Sequence, residues 1–347
     1  MSPVTAPAKV LVTGANGFIA AWIVRTLLES GYTVRGTVRS ASKGEHLKAL
    51  FASFKERFEV VTVDDITKDG AFDEAVKGID LVEHTASPFR LNATEPDELI
   101  VPAVQGTVGI LESIKKHGTS VKRVVITSSS AAITIPSTEP VTYDESSWNN
   151  PAIQKVKELG AAAGPGPIYL ASKTLAEKAA WEFVEKNKSS ISWDLVTLNP
   201  PYVYGPPIHE VTSLKELNTS MDGFYKAVVE GAQDAAALAS NSGSWIDVRD
   251  IAKAHVLAGE KAEAGGQRII VSAGAYYWQD IVDVANSITP APLPNLVKGN
   301  PGATKGKQVV IQYDASKLGR VLGLKPRPLE DTVRDILIMF AGFKGKD

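Results

Sequence analysis

Short apolar, β-branched runs alternate with helix-like stretches through residues 9–199, and nothing else in the 347-residue chain constrains its fold as tightly. Lys9–Thr13, Thr33–Val38, Glu59–Val63, Leu81–His84, Val121–Thr127 and Trp193–Leu198 read as strands. Gly17 to Ser30 carries Ile19, Ile23, Leu27 and Leu28 at helical spacing, and Gly31 ends it. Further helices are predicted at 44–56, 69–77, 94–117 and 168–188. Strands separated by helices return to the sheet through crossovers, so they run parallel and both sheet faces are covered.

After Asn199 the pattern loosens. Pro200, Pro201, Pro206 and Pro207 cannot donate to a ladder. The Gly/Ala/Ser-rich stretch 231–244 reads as loop or irregular helix. A helix is predicted from Asp250, capped by Asp247 or Asp250. Arg268–Ser272 reads as a late strand, and helices follow near 278–287 and 328–342. The expected organisation is a domain over 1–199 and a smaller lobe over 200–347, with segments near 245–272 returning to the first domain.

Thr13-Gly14-Ala15-Asn16-Gly17-Phe18-Ile19-Ala20 links the first strand to the first helix. Gly14 permits the tight turn, Gly17 lets backbone approach a pyrophosphate, and small Ala20 lets the helix pack close to the sheet. The helix N-terminus presents free N–H groups and a positive dipole end to that anion. The fold class is therefore α/β: a Rossmann-type doubly wound parallel sheet with a smaller C-terminal substrate-binding lobe. Binders of NAD usually place an acidic side chain about 20 residues on, for the ribose 2′-hydroxyl. This chain has Arg39 there, and the next acidic residue, Glu45, lies in the following helix. A guanidinium suits a 2′-phosphate, and Lys43 adds a second charge, so NADP(H) is the expected cofactor.

Tyr169 and Lys173 are four residues apart at the start of a predicted helix, so phenol and ammonium can face one site. Positive charge nearby lowers a tyrosine's pKa, which would make Tyr169 a general acid for carbonyl reduction and a base for the reverse step. Tyr313 and Lys317 repeat the spacing, but far from any nucleotide-binding element, and read as a chance match. The fifth strand ends in Thr127-Ser128-Ser129-Ser130, whose hydroxyls can reach the same crevice, and the chemistry alone does not choose among the three serines.

Composition removes other classes. The chain has no cysteine, which excludes disulfides, thiolate metal sites and a cysteine nucleophile. A net charge of −2 without a basic cluster argues against nucleic-acid partners, and Lys115-Lys116 and Lys122-Arg123 read as solvated element ends. No signal peptide or membrane span is expected, so the expected compartment is the cytoplasm. No two of the five histidines have ligand-like spacing, so no metal is expected, and His84 reads as a packed strand-end histidine.

Taken together, TGANGFIA at 13–20, RSASK at 39–43, HTASPF at 84–89, RVVITSS at 123–129, YLASK at 169–173, AEKAAWEF at 176–183, NPPYVYGP at 199–206 and WIDVRDIAKAH at 245–255 resemble the extended short-chain dehydrogenase/reductase family. Within it, the chain is similar to fungal aldehyde and methylglyoxal reductases and to dihydroflavonol 4-reductase-like enzymes. The resemblance implies an NADPH-dependent reductase of small aldehydes or ketones, a monomer or homodimer. It implies that Ser129 is the catalytic hydroxyl, Tyr169 the proton donor and Lys173 the group that holds the nicotinamide ribose. It further implies that Gly14, Ala15, Asn16, Gly17, Phe18 and Ile19 line the pyrophosphate and that Arg39 and Lys43 bind the 2′-phosphate. Asp65 and Ile66 would flank the adenine, Val203 the carboxamide, and Ser220 would add a cofactor contact. Thr134 and Tyr202 would line the substrate pocket. Two departures stand near the expected substrate mouth: the Gly/Pro-rich run 160–167, and Thr134 where relatives carry an aromatic residue. A wider pocket, open to bulky aryl ketones or keto esters, is the expectation. The alternatives are an NAD-dependent nucleotide-sugar epimerase or dehydratase, against which Arg39 argues, and a non-enzymatic NADP sensor, which has no need of the Ser/Tyr/Lys set.

Overall fold

The computed structural model describes residues 3–87 and 95–343. Pro88 and Phe89 of the 84–89 motif, and residue 94 of a predicted helix, lie outside them. The strands are β1 Lys9–Thr13, β2 Thr33–Val38, β3 Phe58–Thr62, β4 Leu81–His84, β5 Arg123–Thr127, β6 Val141–Tyr143, β7 Asp194–Asn199, β8 Tyr202–Tyr204, β9 Ser242–Asp247, β10 Arg268–Ile270, β11 Gly274–Tyr277 and β12 Ile311–Tyr313. The α-helices are α1 Phe18–Glu29, α2 Ser42–Leu50, α3 Asp97–His117, α4 Asn150–Leu159, α5 Pro165–Asn187, α6 Thr219–Tyr225, α7 Ala235–Ser240, α8 Val248–Glu260, α9 Trp278–Ser287, α10 Ser316–Leu322 and α11 Leu329–Phe343.

Seven strands form one parallel sheet in the order β10-β7-β5-β4-β1-β2-β3. This is the doubly wound arrangement expected, and its order reverses between β1 and β4, where a crevice opens at the carboxyl ends. Alternate residues of each strand serve opposite faces. Val10 and Val12 join the core beneath α1 and α8, while Leu11 joins the core beneath α3 and α5. A separate apolar core, with Phe224, Trp245, Tyr276, Ile336 and Phe340, lies among α6, α9, α11 and the small sheet β11-β9-β8. Strand β10 is the edge of the large sheet, and α8 packs on α1.

Three sequence expectations fail for local physical reasons. Residues 69–77 are turn rather than helix: Gly70 and Gly78 both sit at positive φ, and the short interval between them cannot sustain a helix. The helix predicted over 44–56 breaks after Leu50 into a 3-10 segment, Ala52–Arg57, in which Lys55 has φ 49°. Arg123 is not a solvated strand end. It is fully buried and grips Asp194 with Nε at 2.6 Å and Nη2 at 2.9 Å. Asp194 is its cross-strand partner in register, and Nη1 donates to the Ala258 and Lys261 carbonyls at the end of α8. A charge that opens an inner strand of a covered sheet has only such partners available. The stretch 231–244 contains α7 and the start of β9, and of the two candidate caps it is Asp247 whose Oδ1 accepts the Arg249 N–H, at 2.8 Å.

Candidate active site

A cavity of about 900 Å³ lies at the carboxyl ends of β1 and β5. The glycine turn forms one wall. Gly14 has φ +63°, and a Cβ there would stand 3.2 Å from Ala86 Cα, so both conformation and space ask for glycine. Gly17 caps α1 without a side-chain bond, and by helix geometry the N–H groups of Phe18, Ile19 and Ala20 have no acceptor inside the helix. Gly14, Gly17, Phe18 and Ile19 line the cavity. Ala15 is completely buried, its N–H given to Thr37 O at 2.8 Å, so its methyl packs the core.

The three serines separate by partner. Ser128 donates to buried Glu177 Oε2 at 2.5 Å, away from the chemistry. Ser129 Oγ accepts the Ala131 N–H at 3.1 Å and bonds the Tyr169 phenol. The Ser130 hydroxyl lies beside the Tyr313 phenol.

Helix α5 delivers Tyr169 and Lys173 to the same cavity. The Gly/Pro run is its start: Gly164 at φ +84° caps it, and Pro165 occupies the first turn, where no N–H is needed. Lys173 Nζ stands 5.9 Å from the Tyr169 ring centroid and donates to Ser87 Oγ at 3.0 Å. Desolvation pulls the ammonium down to about 8. Burial pushes the Tyr169 phenol up, with the Ser129 bond opposing it. That differs from the lowering expected of a lysine neighbour: burial of the packed ring outweighs the Ser129 bond, and Tyr202 adds to the rise.

The remaining predicted residues divide. Val203, Ser220, Thr134 and Tyr202 line the cavity, Tyr202 with 54% of its surface exposed. Arg39 and Lys43 lie just past the end of β2, both exposed; Lys43 Nζ is 3.9 Å from Glu210. Asp65 and Ile66 follow β3, and Asp65 Oδ1 accepts from Thr67 N and Oγ1 at 2.9 and 2.7 Å. Asn16, Arg39, Lys43, Asp65 and Ile66 are not part of the cavity wall. His84 is packed as expected, Nδ1 3.0 Å from Thr13 Oγ1, with burial pulling it down to about 4. Among the described residues, no group of three His, Asp or Glu side chains could hold a metal ion.

These residues fit a dinucleotide. The cradle at Gly14 and Gly17 takes backbone-directed phosphates, two cations stand past β2, and the buried Asn218 Oδ1 on the cavity wall has no hydrogen-bond donor among the described residues. Sequence reasoning missed Asn218 and Tyr313, both in segments without strand–helix alternation.

Residues 10–274 match the NAD dependent epimerase/dehydratase family. The chain is 40% identical to the NADPH-dependent methylglyoxal reductase GRE2 of Saccharomyces cerevisiae, across 97% of this chain and 99% of that one. It is also 40% identical to the ketoreductase azaE of Aspergillus niger, across 94% and 96%. The crystal structure of yeast methylglyoxal/isovaleraldehyde reductase Gre2 complexed with NADPH superposes with a TM-score of 0.86 at 38% identity, covering 98% of this chain and all of that one.

Proposed function

The chain belongs to the NAD dependent epimerase/dehydratase family, and on that premise we propose that it is an NADPH-dependent carbonyl reductase of small aldehydes and ketones, with Tyr169 as proton donor. The observation that carries the reading is the junction of Ser129, Tyr169 and Lys173 with the glycine turn in one cavity. Reductase relatives at 40% identity over nearly the full chain support the reaction class, and the NADPH of the superposed yeast enzyme supports the cofactor.

In this reading residues 1–199 hold the cofactor and carry the catalytic set, and residues 200–347 mainly frame the substrate. The backbone from Gly14 to Ile19 takes the pyrophosphate, Arg39 and Lys43 the 2′-phosphate, Asp65 and Ile66 the adenine side, and Lys173 the nicotinamide ribose; Val203 and Ser220 complete the hold. The bound nicotinamide supplies hydride to the carbonyl carbon. Ser129 and Tyr169 position the carbonyl oxygen, and the Tyr169 Oη proton passes to it. A phenol whose pKa burial has raised is fully protonated at neutral pH, the form a proton donor needs.

The test is NADPH oxidation by the purified protein on adding methylglyoxal or a simple ketone, with NADH in parallel. Tyr169→Phe should lower kcat by about 10²–10⁴-fold and leave NADPH binding, read by fluorescence, in place. Undiminished turnover by Tyr169→Phe removes the assigned proton donor.

A further inference from the structure

Tyr313, set aside as a chance match in the sequence, stands in the same cavity as Tyr169. Strand β12 runs parallel to β6 and lies beside β9 and β11. Ile311 and Tyr313, two apart on that strand, share a face, and both line the cavity. The far end of the Tyr313 ring is tied down by a hydrogen bond to Thr134 Oγ1, with the Ser130 hydroxyl beside it. Thr134 spends its one hydroxyl hydrogen on the Ser130 carbonyl at 2.8 Å, so in the bond between the two side chains Tyr313 is the donor. The ring is thus anchored by a strand at one end and by the turn that carries Thr134 at the other. A threonine at that turn is small, and taken alone it leaves the wall open.

We propose that Tyr313 sets the size limit of the substrate site: its clamped ring closes the wall that Thr134 leaves open, so the cavity favours compact aldehydes and ketones over bulky aryl ketones. The inference rests on the reductase reading and names the substrate class that reading leaves open. It runs against the wider pocket expected from Thr134 and the Gly/Pro-rich run.

The experiment compares kcat/KM for acetylnaphthalene and for methylglyoxal, with NADPH, in the wild type and in Tyr313 variants. Wild type should prefer methylglyoxal. Tyr313→Ala should raise the naphthyl-to-methylglyoxal ratio by about tenfold or more, the scale on which a pocket discriminates volume. Tyr313→Phe keeps the ring but gives up its hydroxyl bond to Thr134, and should move the ratio by less than about threefold, well under one lost hydrophobic contact. Adding Thr134→Phe to Tyr313→Ala should return the ratio towards wild type, because it restores an aromatic wall from the other side. A folded Tyr313→Ala protein with the wild-type ratio overturns the proposal, as does a wild type that takes the naphthyl ketone as efficiently as methylglyoxal. If Tyr313→Ala does not fold, Tyr313→Leu is read by the same criterion. Wild-type inactivity on both substrates would sink the reductase reading and this inference together; activity with an unmoved ratio sinks the inference alone.

Discussion

Replacing Glu177 by glutamine tests whether one buried carboxylate holds the catalytic strand ends in place. Glu177 is 2% exposed and sits on α5 beyond Lys173. Its Oε1 accepts from Thr197 Oγ1 at 2.9 Å and from Arg268 Nε at 2.6 Å. Its Oε2 accepts from Ser128 Oγ at 2.5 Å and from Asn199 Nδ2 at 2.7 Å. A glutamine fits the space but has one acceptor oxygen and one NH2. Oε1 also accepts from Trp181 Nε1 at 3.4 Å, so whichever atom becomes nitrogen meets at least two donors, and Arg268 loses its counter-charge. Breaking a buried ion pair from one side costs about 3–5 kcal/mol, a large share of the ~5–15 kcal/mol that holds a typical domain. Asn199 Nδ2 also donates to Ser129 O at 3.1 Å, so the change reaches the serine proposed to be catalytic. Glu177 touches nothing in the glycine turn. Glu177→Gln is therefore expected to lose about 3–5 kcal/mol in urea unfolding and to lower kcat, with NADPH affinity little changed. A variant within ~1 kcal/mol of wild type and with full kcat would refute the argument. So would one that loses NADPH binding and turnover in step.

Arg39→Asp should raise the Michaelis constant for NADPH by about tenfold or more, the worth of a charge-assisted bond, and narrow the preference over NADH; an unchanged constant takes Arg39 out of the 2′-phosphate site. Ser129→Ala should cost about 10²-fold in kcat, far more than Ser130→Ala, whose hydroxyl faces Tyr313 instead; equal losses would contradict the partner assignment. With Lys173 at about 8, its charge is present below that pH and lost above it, so kcat/KM for reduction should fall as pH rises through about 8. Lys173→Arg carries a charge that does not titrate there and should shift that limb upward. A pH profile flat through 9.5 (roughly one and a half units above the expected step) in the wild type would place the lysine outside the titrating set.

The parallel sheet was legible in the sequence because its signal is redundant. Covered strands such as Val10-Leu11-Val12 must be apolar on both faces, and the clearest are punctuated at their ends, β1 by Gly14 and β7 by Pro200. The glycine turn and Arg39 were legible for the same reason, since each is fixed by its distance from a strand end. The short strands β6, β8, β11 and β12 carry no such signal, because three or four residues are too few to show a period. Arg123 was misread because a charge at a strand end looks the same in sequence whether water or Asp194 lies beside it. The choice among Ser128, Ser129 and Ser130 depends on partners that are remote in sequence: Glu177, Tyr169 and Tyr313.

The two Tyr/Lys pairs show why spacing alone cannot name a site. Four residues place two side chains on one face only if the backbone between them is helical. From Tyr169 to Lys173 it is, and both groups meet the cavity. From Tyr313 to Lys317 the chain leaves β12, turns through Asp314 and Ala315 and only then enters α10. Lys317 consequently points elsewhere, its Nζ 3.1 Å from the Arg268 carbonyl and 3.3 Å from Gln267 Oε1. The pair is split, yet its tyrosine still reaches the cavity. One motif thus supplies a phenol with a cation beside it, suited to moving a proton. The other supplies a phenol held by a neutral hydroxyl, with a second beside it, suited to holding a shape. The difference lies in the backbone conformation of the intervening residues, and it separates the proposed catalytic role from the proposed selective one.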